Sequence, residues 1–310
     1  MTRAKISIRQ SRAGQDDLRR QRDHASVRPD FAAALGLDAG RQAIIRRDDG
    51  RFALFTLTDG TPESAVDVVR MGEDGRGRLG GADEEQFGGC LDSVAVDPDA
   101  TLDEAKCGEK LLELLDDEDR PDGLIVLAPH GGDIEPFTDD QAEHVRGLLA
   151  DFGVSCWRCQ GFRPDGGAVA RWHITSTDIS SASFPRLATV DGRGFRHALS
   201  FHGFTTDDAT RPHVLVGGAA PDPLKRVVRA VIGAALDGTG LRVEIAGPGD
   251  PLGGDEARNL VNRLTADGRS GIQVEQQPHA RTGTLPGSTV PRWQAIAAAV
   301  ADVYRVALTP

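Results

Sequence analysis

The segment GLIVLA at 123–128 constrains the fold more than any other stretch of the chain. A strand with one wet face alternates apolar and polar residues, and this run does not alternate. It reads instead as a strand buried on both faces, the situation of sheets covered by helices. From about residue 101 the same kind of run recurs between helical stripes. Strands are expected at 154–159, 168–176, 196–202, 213–218, 241–247 and 271–276, and helices at 222–236, 255–265 and 291–305. TLDEAKCGEKLLELL opens with a capping box, Thr101 with Glu104, and reads as a helix. Thr138 with Gln141 reads as a second box, opening a helix to about 152. Strands alternating with helices give an α/β domain with a mixed, mostly parallel sheet, spanning 85–310.

The first part of the chain is patterned differently. AIIRR, DDG and RFALFTLTDG form a hairpin signal, and SAVDVVRMG and GRGRLGG add short strands. Residues 29–84 therefore read as a small β-barrel-like domain, and FAAALGLDAGRQAII is similar to segments of double-psi-like barrels. Residues 81–100, acidic and interrupted by glycines, read as a linker. Residues 1–28 carry eight bases against three acids and read as a basic tail, solvated or serving as an interaction arm.

Composition narrows the partners. The net charge is −11, and the window 81–120 alone holds 14 acidic and three basic residues. That balance does not favour nonspecific nucleic-acid binding, which depends on cations that release phosphate counterions. One Tyr, three Trp and 11 Phe are too few for a base-stacking platform. No apolar run approaches the length of a membrane span, and MTRAKISIRQSRAGQDD lacks a signal-peptide core, so a cytoplasmic protein is expected. Cys156 and Cys159 form a C-x-x-C, but within a strand-like segment such positions face opposite sides. They read as ordinary half-buried thiols.

Polar groups at the ends of apolar strands mark where chemistry can gather in an open α/β sheet. His130 follows the strand 123–128 directly, two glycines let the chain turn, and Glu135 arrives five residues later. His202 closes ALSFHG, and Glu275 sits inside the apolar strand GIQVEQ. Two His and one Glu are the ligand set of a catalytic zinc with one position left open, and a spare carboxylate can serve as general base.

The order APHGG-x-IE-x-x-T, HITST, S-x-HG, N-x-x-NR and G-x-Q-x-E, across roughly 120–285, resembles the phage-type poly-γ-glutamate hydrolase family. The resemblance implies a three-layer α/β/α sandwich, a compact branch of the zinc carboxypeptidase superfamily, that hydrolyses γ-glutamyl amide bonds. It implies one zinc per chain on His130, Glu135 and His202, with Glu275 as general base. It also implies that Asn262 and Arg263 of NLVNR contact substrate, with Arg281 a further candidate, and leaves His173 between core and support of the site. The expected partner is an acidic γ-glutamyl peptide or polymer. An aspartoacylase-like deacylase and a non-catalytic binding protein working through the barrel are the alternatives.

Overall fold

A computed structural model describes residues 2–12, 14–60, 65–120 and 123–309. The chain divides into two compact units, Met1–Leu111 with Arg163–Pro185, and Leu112–Phe162 with Arg186–Pro310.

The first unit is built on a closed barrel of six strands: β1 (Arg3–Gln10), β2 (His24–Val27), β3 (Gln42–Arg47), β4 (Phe52–Asp59), β5 (Val68–Met71) and β6 (Gln86–Asp92). Their order around the barrel is β1-β5-β2-β4-β3-β6, with β1/β5 and β2/β4 parallel. Ile6 and Ile8, Ala43 and Ile45, Ala53, Phe55 and Leu57, Val69 and Met71 fill the interior at period-two spacing. The expected hairpin forms between β3 and β4, turning at Gly50, whose φ of 92° suits glycine.

Three expectations fail here, the first being the strand at GRGRLGG, whose first residues lie in the helix Glu73–Arg78. Residues 1–28 are not a tail, because β1 and β2 are barrel staves. Ile6 and Ile8 alternate with Lys5, Ser7 and Arg9, and the outward charges hide a strand pattern. Nor is 81–100 simply a linker: β6 pairs with both β1 and β3 and closes the barrel. Its Phe87 and Leu91 are buried. Gly89 lies so close to the Arg46 carbonyl that a Cβ would collide with it. Of the glycines that suggested a flexible connection, Gly89 serves close backbone approach, and Gly81 and Gly88 make room for the Phe87 ring and the Asp48 carboxylate.

After β6 the Thr101–Glu104 capping box forms and starts a helix, but that helix is short, Leu102–Lys106. Gly108, at φ 76°, ends it, and the leucines beyond enter a strand of the second unit. Segment 168–176 likewise departs from expectation. Ala168–Trp172 is a helix, entered through Gly166 and Gly167, both at φ 82°. Its Trp172 packs edge-on against Phe52, with ring centroids 5.4 Å apart.

The second unit contains a seven-stranded sheet of β7 (Leu112–Asp116), β8 (Leu124–Gly132), β9 (Ser155–Gly161), β10 (His197–Gly203), β11 (Val214–Gly217), β12 (Val243–Ile245) and β13 (Gly271–Gln276). The order is β12-β11-β13-β10-β8-β9-β7. Pairing is parallel except at β11/β13 and β9/β7. Helices Thr138–Leu148, Asp222–Ala235 and Arg292–Leu308 bury Val145, Ile232 and Val300 in one core with Val126, Phe201 and Val274 of the sheet. Helix 255–265 shrinks to Leu260–Arg263, capped by the Asn259 side chain.

Candidate active site

The loop after β8 is shaped by its own hydrogen bonds. Between Ala128 and Gly131 the pairing of β8 with β9 slips by one residue, a bulge that re-aims the end of the strand. Glu135 N–H donates to the His130 carbonyl at 2.9 Å, and Thr138 Oγ1 donates to the Glu135 carbonyl at 2.8 Å. Thr138 is thus engaged with the loop rather than a capping box. The N-cap is Phe137, held at φ 75°, a left-handed conformation uncommon for a bulky side chain. Asp139 accepts from Gly132 N–H at 3.2 Å, and a Cβ on Gly131 would come within 2.7 Å of the Asp139 side chain. Gly131 is required by that approach, and Gly132 by its φ of 68° and the nearness of the Gly161 carbonyl.

His130 Nδ1 lies 3.1 Å from Glu135 Oε1, and His202 Nδ1 lies 3.5 Å from Glu135 Oε2. The two Nδ1 atoms are 3.2 Å apart. Glu135 Oε2 also accepts from Gly203 N–H at 2.8 Å. All three side chains are buried. His202 Nε2 is 2.8 Å from Ser200 Oγ, which fixes the ring and leaves Nδ1 to face the cluster. His130 and Glu135 offer ligand atoms close enough to each other to hold a metal ion between them.

Glu275 comes to the same place by register. His202 is directly opposite Glu275, and Ser200 opposite Gln273, in the parallel pair β10/β13. Residues two apart in a strand share a face, so S-x-H and Q-x-E form two adjacent rungs on one side of the sheet. Gln273 Nε2 donates to Glu275 Oε1 at 2.9 Å, and Asn259 Nδ2 donates to Gln273 Oε1 at 3.0 Å. The other oxygen, Glu275 Oε2, is buried without a hydrogen-bond partner among the described residues. On the opposite face Gln276 and Gln141 exchange amide hydrogen bonds at 2.8 and 2.9 Å, tying β13 to helix Thr138–Leu148.

The two carboxylates ionise differently. Burial opposes the charge on Glu135, but the attraction and hydrogen bonds of His130 and His202 outweigh it and hold the group well below the usual carboxylate range. Burial, then repulsion from Glu135, pushes Glu275 well above that range, with Arg281 opposing. Burial also lowers the proton affinity of His202. Arg281 is buried too, and its Nη1 donates to the Pro136 carbonyl at 2.8 Å. A Cβ on Gly203 would run into its guanidinium, which accounts for glycine after His202.

The structure therefore brings together His130, Glu135, His202, Glu275 and Arg281. It gives Asn262 and Arg263 other work. Asn262 is fully buried; its Oδ1 accepts from Ala219 N–H at 3.0 Å, and its Nδ2 donates to the carbonyls of Gly254 and Glu256, each at 2.8 Å. With both N–H groups committed, it clips loops together and has no donor to offer a substrate. Arg263 pairs with Asp191 at 3.5 Å. His173 falls in the first unit, where its carbonyl accepts from Arg78 Nη2 at 3.1 Å. Sequence reading gave no role to Ser200, Gln273 or Asn259. The signal for the first two was available: a polar residue two places before each site residue in an apolar strand.

Residues 113–286, more than half of the chain, match the sequence profile of the poly-gamma-glutamate hydrolase family. The chain belongs to that family. Every site residue named above lies inside the matched region. The SPbeta prophage-derived protein YoqZ of Bacillus subtilis is 29% identical over 204 residues, covering 63% of this chain. The chain spans 65% of the length of that relative. Among solved structures, a bacteriophage poly-gamma-glutamate hydrolase is 24% identical with a TM-score of 0.46, over 63% of this chain and 89% of its own. A zinc-free form of YndL is 22% identical with a TM-score of 0.49, over 66% of this chain and 95% of its own. The family match, not these distant likenesses, carries the assignment.

Proposed function

We propose that the protein is a zinc-dependent amidohydrolase that cleaves γ-glutamyl amide bonds in an acidic polymer. We further propose that its second unit is a three-layer α/β/α sandwich of the zinc carboxypeptidase kind. The observation that carries the reading is the convergence of two Nδ1 atoms and the Glu135 carboxylate beside a second carboxylate with an unpartnered oxygen. Two imidazole nitrogens facing each other at 3.2 Å gain little from each other, since at most one can hold the shared proton, and are well placed to share a cation. Nitrogen and carboxylate ligands in a set of three suit a catalytic zinc. The residues present therefore fit the metal.

His130, Glu135 and His202 would hold the zinc, with Ser200 orienting His202 and Gly203 N–H orienting Glu135. When bound, zinc supplies Lewis acidity toward a carbonyl oxygen and lowers the pKa of water. Glu275 takes a proton from the attacking water at Oε2 and delivers it to the departing amide nitrogen. Gln273 holds Oε1, so the free oxygen has one direction to act in. Arg281 sets a fixed positive charge beside the two carboxylates, where it can meet a developing oxyanion or a substrate carboxylate.

The test is a comparison of γ-linked and α-linked glutamyl oligomers with zinc-loaded protein. Release of new amino termini from the γ-linked series alone is expected. Cleavage of neither series, at full zinc occupancy, would remove the assignment.

A further inference from the structure

The barrel carries charge that its own packing does not explain. Arg9 and Arg70 are direct partners in the parallel pair β1/β5. Like charges opposite one another across strands destabilise a sheet. Arg70 is buried, its Nη1 donates to the Gln10 carbonyl at 2.9 Å, and its Nε has no hydrogen-bond partner among the described residues. Burial and the charges of Arg12 and Arg9 all weaken its hold on the proton. Among the described residues neither Arg9 nor Arg70 has a carboxylate partner. Arg9 is half-buried, and Arg12 and Arg19 are exposed. Ser11 N–H donates to the Met71 carbonyl at 2.8 Å, and Arg19 Nε donates to Ser11 Oγ at 3.3 Å, which brings Arg19 to the same ends of β1 and β5.

We propose that this arginine cluster on the barrel is a docking surface for the acidic polymer, separate from the residues that cleave it. The inference rests on the hydrolase reading for its choice of ligand. A chain with net charge −11 repels a polycarboxylate at long range, so capture requires a local concentration of cations. Guanidinium groups bind carboxylates through paired N–H donors, and repulsion between Arg9 and Arg70 is relieved when an anion lies across them. A nucleic acid would meet the same charge, but the chain has few aromatic side chains on which bases could stack. The carboxylate polymer is the better fit.

The experiment uses the full chain with zinc. Binding of fluorescein-labelled poly-γ-glutamate is read by stopped-flow anisotropy before turnover, for wild type, Arg9→Gln/Arg12→Gln and Arg9→Lys/Arg12→Lys. Removing like charges relieves repulsion, so the Gln variant should melt no earlier than wild type. Its Kd for the polymer should weaken by about tenfold or more, the scale of losing charged hydrogen bonds. The Lys variant should recover most of the binding, and KM for a γ-glutamyl tripeptide should stay unchanged in both. Equal polymer Kd in wild type and the Gln variant would overturn the proposal. So would duplex DNA displacing the polymer from wild type, which would make this a nucleic-acid surface. Arginine-dependent binding without any cleavage would keep the docking surface and remove the hydrolase reading. Cleavage with polymer KM and Kd indifferent to these arginines would do the reverse.

Discussion

Glu135 and Glu275 share one buried site, and their neighbours set them to opposite tasks. Histidines on either side keep Glu135 charged, as a ligand must be, whereas Glu275 is pushed toward the protonated form when the site holds no cation. Glu275→Gln keeps the shape and the bond from Gln273 but removes the base. Its rate should fall by roughly 10²–10⁴ with zinc content and melting temperature near wild type. A structural Glu275 would show an early melt with near-normal activity per folded molecule. Ser200→Ala leaves His202 Nε2 without its hydroxyl, so zinc affinity should drop about 10–100-fold by competitive chelator titration. Unchanged affinity would show that Ser200 does not orient the ligand. The cysteines make a contrasting case. Burial pushes Cys156 up to about 12 and Cys159 well above its usual value. A disulfide reagent should therefore label exposed Cys107 in the native protein and reach Cys156 and Cys159 only after unfolding. His130, His202 and Glu275 were legible because each is polar at the end of, or inside, an apolar run, and Glu135 because it follows His130 by five residues across two glycines. Asn262 misled because a buried amide that clips loops has the same sequence appearance as one that binds substrate.

At the scale of elements, periodicity served well where burial was continuous and poorly where glycine decided. β8, β10 and β13 follow from their apolar runs. β1 does not, since five of its eight residues are charged or polar and only the closed barrel reveals which face is inside. β6 does not either, because Gly88 and Gly89 look like a connection until their neighbours are known. Gly89→Ala places a methyl against the Arg46 carbonyl, which cannot withdraw without disturbing β3. The barrel should lose about 1–3 kcal/mol, read from denaturant unfolding. A variant as stable as wild type would mean that β6 shifts freely and does not lock the barrel. LLELL shows the opposite error. Its leucines satisfy a helical stripe, but Glu113 accepts from Trp157 Nε1 and Leu187 N–H, both at 2.8 Å, and those buried bonds belong to a strand.

For the whole molecule, the division into units differs from a simple succession of domains. The chain leaves the second unit at Phe162, contributes Arg163–Pro185 to the first, and returns at Arg186. That excursion is fastened to the barrel by Gln42, whose Nε2 donates to the Asp178 carbonyl at 2.7 Å, and by Asp23, which accepts from Thr175 N–H at 2.9 Å. No local pattern announces such an excursion, because these two anchors lie 136 and 152 residues away in sequence. Removing residues 1–111 should therefore leave 163–185 without its anchors, and limited proteolysis should cut there first while the full chain resists. Equal resistance would show that the segment orders itself alone. The central claim concerns the metal and the bond it acts on, and one titration addresses both. Zinc is added stepwise to metal-free full-length protein while hydrolysis of poly-γ-glutamate is followed. Activity should rise with zinc and level off at about one equivalent per chain, as a single three-ligand site requires. Activity that is full before zinc is added, or absent after one equivalent has bound, would contradict the account.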